Sequence, residues 1–270
     1  MSPIELRGAV TILTGASRGI GPHIARALAR EGAHLALSAR DAEALERVAA
    51  EIRGLGARAV ALPADVGRAT DRARLVREAE RALGPVDLLV NNAAIENEGP
   101  FTRLDTAAIT TTIATNLDAP IQLTRLVLDG MLGRRRGHVV NVASLAGKKG
   151  VPYAAVYAGT KAGLIEWTGA LRLELHGTGV SLSSICPGFV TGEGMFARSG
   201  LAPAPMIGSC TPQEVAAAVV RAVRRDEPEV FVNSRPMRPL LVVAAVAPRI
   251  AERLMRAIGL VDLQRRRTGV

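Results

Sequence analysis

Residues 10–30 of this 270-residue chain, VTILTGASRGIGPHIARALAR, decide its fold. An apolar, partly β-branched run predicts a buried strand over residues 9–14, and the spacing of apolar residues after it predicts a helix over residues 19–31. The glycines between them permit a tight turn and a close approach of the backbone to a pyrophosphate, which the free N–H groups at the start of the helix attract. The segment therefore predicts a phosphate-binding unit of strand, turn and helix.

The same alternation of strand and helix continues along the chain. Such alternation is typical of parallel βαβ units, in which ligands bind at the carboxyl ends of the strands. We predict an α/β fold, a single Rossmann-type doubly wound domain with a seven-stranded parallel sheet and helices on both faces. The further strands are predicted at residues 34–39, 58–62, 88–91, 138–142, 181–185 and 230–232, and the further helices at 42–54, 72–83, 106–132, 154–177 and 212–224.

Three side chains in the second half of the chain have the chemistry to move a proton at an alcohol oxygen. Tyr157 and Lys161 lie four residues apart on a predicted helix and project from the same face, where the ammonium group favours the phenolate. Ser144, thirteen residues before the tyrosine, adds a hydroxyl. Because the same Tyr and Lys spacing also occurs on ordinary helix surfaces, its interpretation depends on the nucleotide-binding unit that precedes it.

Together these motifs resemble those of the short-chain dehydrogenase/reductase superfamily. The resemblance covers about residues 7–232, and Ala94, where relatives more often carry glycine, is a departure. An ordered set of motifs is far more specific than any one of them. The marks, in family order, are TGxxxGxG at residues 14–21, Asp65, NNAA at residues 91–94, Asn116, Ser144, Tyr157, Lys161, and Pro187 and Gly188 with Thr191.

The resemblance implies roles for these residues. Tyr157 is the general acid/base, Lys161 lowers its pKa and binds the nicotinamide ribose, and Ser144 donates to the substrate oxygen. Asn116, the fourth predicted catalytic residue, helps to hold a water molecule in the proton relay. The residues expected to bind the cofactor are Gly15, Ser17, Arg18, Gly19, Ile20, Gly21, Ser38, Arg40, Asp65, Val66, Asn91, Ala93, Tyr157, Lys161, Pro187, Gly188, Val190 and Thr191.

The end of the second strand predicts which dinucleotide is bound. A unit that binds NAD usually carries an acidic side chain there, and Ala39 stands at that position. Arg40 follows at once, Arg18 lies in the glycine turn, and Ser38 adds a hydroxyl, a set that suits the 2′-phosphate of NADP. We therefore predict NADP(H), with NAD(H) as the alternative if Arg40 is a plain surface residue and Asp41 caps the next helix.

Composition argues against several other classes of protein. The net charge is +9, but the basic residues are mostly arginines among glutamates, and the arginine blocks at residues 134–136 and 265–267 lack stacking aromatics, so nucleic-acid binding is not expected. Two cysteines and four scattered histidines predict neither a disulfide framework nor a metal site. Since no apolar run reaches the ~20 residues that span a bilayer and the amino terminus lacks a secretory signal, a cytoplasmic location is expected.

The substrate side is predicted to be apolar. Residues 192–209 are rich in Gly, Ala, Pro and Met, a composition that suits a mobile flap over a substrate. An apolar carbonyl compound or alcohol would fit such a lining. The residues expected to line it are Met195, Phe196, Leu201, Met206 and Ile207.

We divide the chain into a catalytic domain, residues 1–234, and a C-terminal extension of the same domain, residues 235–270. In the extension an apolar stretch at residues 240–247 precedes an arginine-rich amphipathic helix. It either packs over the substrate site or a neighbouring subunit, which we favour, or makes a peripheral contact with anionic lipid.

These features predict an NADP(H)-dependent oxidoreductase that transfers hydride between nicotinamide and a carbonyl group or secondary alcohol. One alternative is an NAD-dependent alcohol dehydrogenase of the same family. Another is a catalytically silent dinucleotide-binding or membrane-surface protein, which would ordinarily lack Tyr157 or Lys161. By resemblance, the helices at residues 106–132 and 154–177 are expected to make the contacts of a homo-dimer or homo-tetramer.

Overall fold

Seven parallel strands form one sheet in the computed structural model, which describes residues 4–203 and 206–269. Their order across the sheet is β3-β2-β1-β4-β5-β6-β7. The predicted α/β doubly wound fold is confirmed. The strands are β1 Val10–Thr14, β2 His34–Ser38, β3 Ala59–Ala61, β4 Leu88–Asn91, β5 Gly137–Val142, β6 Val180–Pro187 and β7 Glu229–Val232.

Helices follow the strands and cover both faces of the sheet. The predicted helices lie within a few residues of their observed bounds. The helices are α1 Ile20–Arg30, α2 Ala42–Gly54, α3 Ala69–Leu83, α4 Thr106–Ile113, α5 Ala119–Gly133, α6 Ala155–Glu174, α7 Pro212–Arg225, α8 Arg238–Val246, α9 Pro248–Ala257 and α10 Leu260–Thr268.

Each face of the sheet has its own hydrophobic core, because side chains of a strand alternate between the two faces. Ile12 packs with the core that α3 and α5 cover, and its neighbour Leu13 packs with the core under α1, α2 and α7. Both side chains are fully buried, which stabilises the fold by roughly 1.5–3 kcal/mol for each. The two cores hold the strands rigidly, so the loops at their ends start from fixed positions.

The strand order reverses direction at β1. After β3 at one edge, the chain crosses back so that β4 pairs with β1 on the side opposite β2. The loops that follow β1 and β4 therefore leave the sheet toward opposite faces and open a crevice at their carboxyl ends. This crevice is the position at which an open α/β sheet binds a ligand.

Two segments differ from the sequence predictions. The helix predicted over residues 106–132 contains a π-helical turn, Ala114–Asp118, between α4 and α5. The amphipathic helix predicted near the carboxyl terminus is split, because Pro248 begins α9 and Gly259, with φ of 76°, separates α9 from α10. Within the described part of the chain every helix is too short or too polar to cross a membrane.

Candidate active site

A cavity of about 1020 Å³ opens at the carboxyl ends of the strands. Residues that follow β1 to β6 form one side of it, and the segment after β6 and the C-terminal helices form the other. Of the described residues predicted to form the site, all line this cavity except Gly21, Asn91, Asn116 and Thr191.

The glycine turn brings the backbone close to the cavity. Gly15 has φ of 65°, and a Cβ atom there would lie 2.8 Å from the Cα of Ala93 in the loop after β4. Gly19 also has positive φ, and α1 begins after it without a side-chain cap, so the first N–H groups of α1 are left for a ligand. Gly21 lies behind this surface because α1 packs on the turn there, and a Cβ atom would be 2.1 Å from the Gly15 carbonyl oxygen.

The end of β2 forms a polar corner of the cavity. Ser38 is fully buried, and its Oγ has no hydrogen-bond partner among the described residues. Arg18 and Arg40 are exposed at the cavity wall, and neither forms an ion pair within the described residues. Asp41 caps α2 by accepting a hydrogen bond from the N–H of Ala44 at 2.9 Å. The corner therefore has two unpaired guanidinium groups and an unpaired hydroxyl, which suit a phosphate.

The loop after β3 forms the next part of the wall. Asp65 accepts a hydrogen bond from the N–H of Gly67 at 3.0 Å, and its own N–H donates to Asp71 Oδ2 at 2.9 Å. These bonds fix the turn so that Asp65 and Val66 both line the cavity. A polar and an apolar group side by side suit the edge and the face of an adenine ring.

Ser144, Tyr157 and Lys161 come together at the opposite end of the same wall. Ser144 follows β5, and its Oγ accepts from the N–H of Ala146 at 3.1 Å and lies near enough to the Tyr157 hydroxyl to lower its pKa. Lys161 is 2% exposed and donates from Nζ to the carbonyl oxygen of Val142 at 2.8 Å. Its Nζ lies 5.7 Å from the centre of the Tyr157 ring. The arrangement places a phenol, a hydroxyl and an ammonium group at one point of the cavity.

Burial opposes the acidification of Tyr157 that the sequence predicts. Burial, and the nearby carboxylate of Glu96, raise the pKa of Tyr157 above its usual value, although the Ser144 hydroxyl lowers it in part. Burial also lowers the pKa of Lys161 to about 8. The reason is the desolvation of both charged forms, which a sequence spacing does not report. Tyr157 is therefore a protonated phenol at neutral pH in this protein.

Asn91 and Asn116 lie behind the cavity wall and hold it in place by hydrogen bonds. Asn91 Nδ2 donates to Asn141 Oδ1 at 2.9 Å, which ties β4 to β5. Asn116, in the π-helical turn, accepts from the N–H of Ile95 at 2.9 Å and donates to the carbonyl oxygen of Ile95 at 2.8 Å. Asn116 is fully buried, so in this structure its side chain holds the loop after β4 and does not face the cavity.

In the segment after β6, too, some of the predicted residues line the cavity and others do not. Pro187, Gly188 and Val190 line the cavity, whereas the Thr191 N–H donates to the carbonyl oxygen of Cys210 at 2.9 Å and Thr191 is turned away. Among the predicted flap residues Met195, Phe196, Met206 and Ile207 line the cavity and Leu201 does not. Residues 204 and 205 of the predicted flap lie outside the described residues.

The C-terminal helices close one side of the cavity. Packing over the site is one of the two interpretations that the sequence leaves open for residues 235–270. Their inward side chains are mostly apolar, and Gln264 and Arg267 on α10 are the polar ones. Gln264 is 1% exposed, and its amide oxygen, Oε1, has no hydrogen-bond partner among the described residues. The lining residues of this segment are Met237, Leu240, Leu241, Met255, Ile258, Leu260, Gln264 and Arg267.

One ion cluster holds α10 against the rest of the wall. Arg267 lies 2.8 Å from Glu96 and 2.6 Å from Glu98, and it stacks over the Phe196 ring at 5.3 Å. All three charged side chains are largely buried. Burial and the Glu96 carboxylate raise the pKa of Glu98 to about 8, so Glu98 is mostly protonated at neutral pH. No sequence signal links partners that are 171 residues apart.

The comparisons with known proteins agree with this geometry. A model of the family described as short chain dehydrogenase matches residues 9–200. This chain belongs to the short-chain dehydrogenase family. The ketoacyl reductase HetN of Nostoc sp. (strain PCC 7120) is 42% identical over 267 residues, which cover 97% of this chain and 93% of that protein.

Two more relatives of this short-chain dehydrogenase are informative. The 3-oxoacyl-(acyl-carrier-protein) reductase FabG of Staphylococcus epidermidis is 34% identical over 183 residues, 67% of this chain and 75% of that protein. The crystal structure of a metagenomic short-chain oxidoreductase in complex with NADP matches with a TM-score of 0.73 at 33% identity, covering 86% of this chain and 99% of the other. The predicted superfamily and enzyme class are therefore confirmed: the protein is an oxidoreductase of a family that uses NAD(P).

The wall fits a nicotinamide dinucleotide. The uncapped start of α1 and the glycine turn suit the pyrophosphate, and the unpaired Ser38 hydroxyl would be available to the adenosine ribose. Residues from Gly15 through Asp65 would hold the adenosine half, and the cluster at Tyr157 would adjoin the nicotinamide half. The part of the cavity that the C-terminal helices cover would then remain for a substrate.

Proposed function

We propose that this short-chain dehydrogenase uses NADPH to reduce the keto group of an apolar ketoacyl compound to a secondary alcohol. The observation that carries the proposal is the cluster of Ser144, Tyr157 and Lys161 at the junction of a polar cofactor wall and an apolar substrate wall. The names of two relatives, a ketoacyl reductase and a 3-oxoacyl reductase, support the substrate class.

The preference for NADPH over NADH rests on charge. Arg18 and Arg40 are unpaired within the described residues, and Ala39 contributes no carboxylate beside them. A 2′-phosphate gains charge-assisted hydrogen bonds from such a corner, whereas a 2′-hydroxyl gains little. The NADP in the metagenomic relative agrees with this preference.

The protein's own residues carry the proton in this mechanism. The bound cofactor supplies a hydride to the carbonyl carbon. Ser144 donates a hydrogen bond to the carbonyl oxygen and stabilises the negative charge that develops on it. Tyr157 gives its proton to that oxygen, and the Lys161 ammonium group, 5.7 Å from the centre of the tyrosine ring, stabilises the phenolate that is left.

Gln264 adds a polar contact to the apolar substrate wall. A buried amide oxygen without a partner costs about 1–3 kcal/mol, and a substrate that donates an N–H or O–H group to it recovers that energy. A substrate with a keto group, an apolar stretch and a second polar group therefore matches the cavity. An acyl thioester with an amide in its carrier arm has this chemistry.

The assembly is proposed to be a homo-dimer or homo-tetramer. Ile113, Leu126 and Leu173, on α4, α5 and α6, are large apolar side chains that are exposed in the single chain. A subunit contact at these helices would cover them. We further propose that residues 235–270 belong to the catalytic domain as its lid, and that the enzyme works in the cytoplasm, where NADPH is available.

A substrate panel tests the proposal. Ketoacyl thioesters of increasing chain length, simple ketones and small charged carbonyls are assayed for oxidation of NADPH and of NADH. We expect NADPH-dependent reduction of the ketoacyl thioesters, with kcat/KM rising with chain length. Faster turnover of small charged carbonyls, or activity confined to alcohols with NAD, would contradict it.

A further inference from the structure

The outer face of α8 and α9 is apolar and uncovered. Val242 and Val246 are exposed on α8, and Ile250 and Leu254 are exposed on α9. Within each helix the two residues are four apart, so they form one stripe along its surface. Their exposed fractions are between 40 and 78%. Four large apolar side chains are thus exposed within thirteen residues. Contact of such a patch with water is unfavourable, so a partner that covers it is expected.

Arginines flank this apolar stripe. Residues 235–270 contain eight arginines and two acidic residues, which is +6 of the chain's net charge of +9. On α9, Arg249, Arg253 and Arg256 are exposed and form no ion pair within the described residues, and Glu252 is the one acidic residue among them. Arginines elsewhere are often paired, as Arg47 is with Glu43 in α2. The positive charge of α9 is therefore left for a partner.

The inner face of the same helices forms the substrate wall. Leu240, Leu241 and Met255 line the cavity, whereas the four residues of the exposed stripe do not. Only one layer of helix thus separates the substrate cavity from whatever covers the stripe.

We propose that α8 and α9 dock this enzyme on an anionic lipid surface, with the apolar stripe in the interfacial layer and the arginines against the lipid head groups. Short helices with an apolar stripe and flanking basic residues bind in the plane of a bilayer in this way. A second copy of the chain is a poorer occupant, because a twofold contact would bring the unpaired arginines of two α9 helices together. Docking would also present the substrate wall to molecules dissolved in the lipid.

Vesicle flotation of the full-length protein tests this proposal. Vesicles of phosphatidylcholine with about a third phosphatidylglycerol are compared with vesicles of phosphatidylcholine alone. We expect the protein to float with the anionic vesicles, to float weakly with the neutral ones, and to be released by high salt. The variants Val246→Ser with Ile250→Ser, and Arg249→Glu with Arg253→Glu, should each lower the vesicle-bound to free ratio at least about tenfold.

Matched controls separate this result from a folding defect. Leu55→Ser removes an exposed apolar residue at the end of α2 and should float like the unchanged protein. All variants should keep their reduction rate with a short, water-soluble ketone. Absence of flotation with anionic vesicles, or equal flotation of the stripe variants, would overturn the proposal. If the stripe variants instead change only the mass of the oligomer in sedimentation, the face is a subunit contact and the proposal is likewise overturned.

Discussion

The two halves of the cavity are built in different ways. The cofactor half consists of strand ends, glycine backbone and short polar side chains between Gly15 and Asp65, all placed by the central sheet. The substrate half consists of long side chains from the segment after β6 and from α8 to α10, which are held by one buried ion cluster at Arg267. The family model matches residues 9–200, which include the whole cofactor half. The helices α8 to α10 lie beyond the matched residues.

The difference shows which properties each half can control. A backbone cradle changes little when side chains change, so the reaction and the cofactor are fixed by a few positions. A wall made of side chains on terminal helices can change its shape by substitution, so substrate choice resides there. Mutations in the two halves should therefore affect different kinetic constants, and each prediction below tests that separation.

The largest effect is expected at the junction of the halves. Ser144→Ala removes the hydroxyl that we propose donates to the carbonyl oxygen, and kcat for the ketoacyl substrate should fall roughly 100- to 1000-fold. NADPH binding, followed by its fluorescence, should stay within a few-fold of the unchanged protein. Ser199→Ala, in the segment after β6, removes a hydroxyl that bonds only to the Phe196 and Leu201 backbone and should keep nearly full activity. Equal losses in both variants would refute a special role for Ser144.

The next effect belongs to the cofactor half alone. Arg40→Ala removes the guanidinium group that we propose contacts the 2′-phosphate, and KM for NADPH should rise roughly 10- to 100-fold while KM for NADH is unchanged. Arg47→Ala, further along in α2, removes an arginine that pairs with Glu43 and serves as the matched control. If Arg40→Ala changes KM for NADPH and KM for NADH alike, Arg40 does not recognise the 2′-phosphate.

A smaller effect is expected in the substrate half. Arg267→Met leaves Glu96 and Glu98 buried without a counter-charge, so the lid formed by α10 should open. We expect KM for a long ketoacyl thioester to rise roughly tenfold, with KM for NADPH unchanged. Arg266→Met changes an exposed arginine of the same helix and should have little effect. A rise in KM for NADPH instead would show that the halves are not separable.

The smallest effect is a pH dependence of the same lid. Because the folded protein holds the Glu98 pKa at about 8, above its usual value, this group stabilises the closed lid at lower pH and the stabilisation is lost as the pH rises through about 8. KM for the ketoacyl thioester should increase a few-fold, and at most about tenfold, between pH 7 and pH 9. Glu98→Gln should flatten this profile. A profile that is unchanged in Glu98→Gln would assign the titration to another group.

Sequence predicted the fold well because the fold depends on local patterns. The alternation of apolar segments located all seven strands, and most of the glycine turn that is predicted to bind phosphate lines the cavity. The π-helical turn around Asn116 was missed because helical periodicity does not distinguish a bond to the fourth residue from one to the fifth. Asn116 thus turned out to hold the backbone of Ile95.

The substrate half was predicted least well because it depends on contacts across the chain. The pairing of Arg267 with Glu96 and Glu98 joins α10 to the loop after β4. The unpaired amide oxygen of Gln264 can be recognised only once α10 is packed in the structure. The raised pKa of Tyr157 is a similar case, since burial and the Glu96 carboxylate cause it. The spacing of residues in a sequence indicates which groups are neighbours, but it does not give the burial of each group, which shifts its pKa.

The most direct test of the account compares the two tyrosines of the chain. Rates of NADPH oxidation with a ketoacyl thioester are measured for Tyr157→Phe and for Tyr153→Phe, which removes only a hydroxyl that accepts from Arg265 at 3.0 Å. We predict that Tyr157→Phe lowers kcat at least about 100-fold with NADPH binding intact, and that Tyr153→Phe stays within a few-fold. Turnover by Tyr157→Phe close to that of the unchanged enzyme would contradict the assignment of Tyr157 as the proton donor.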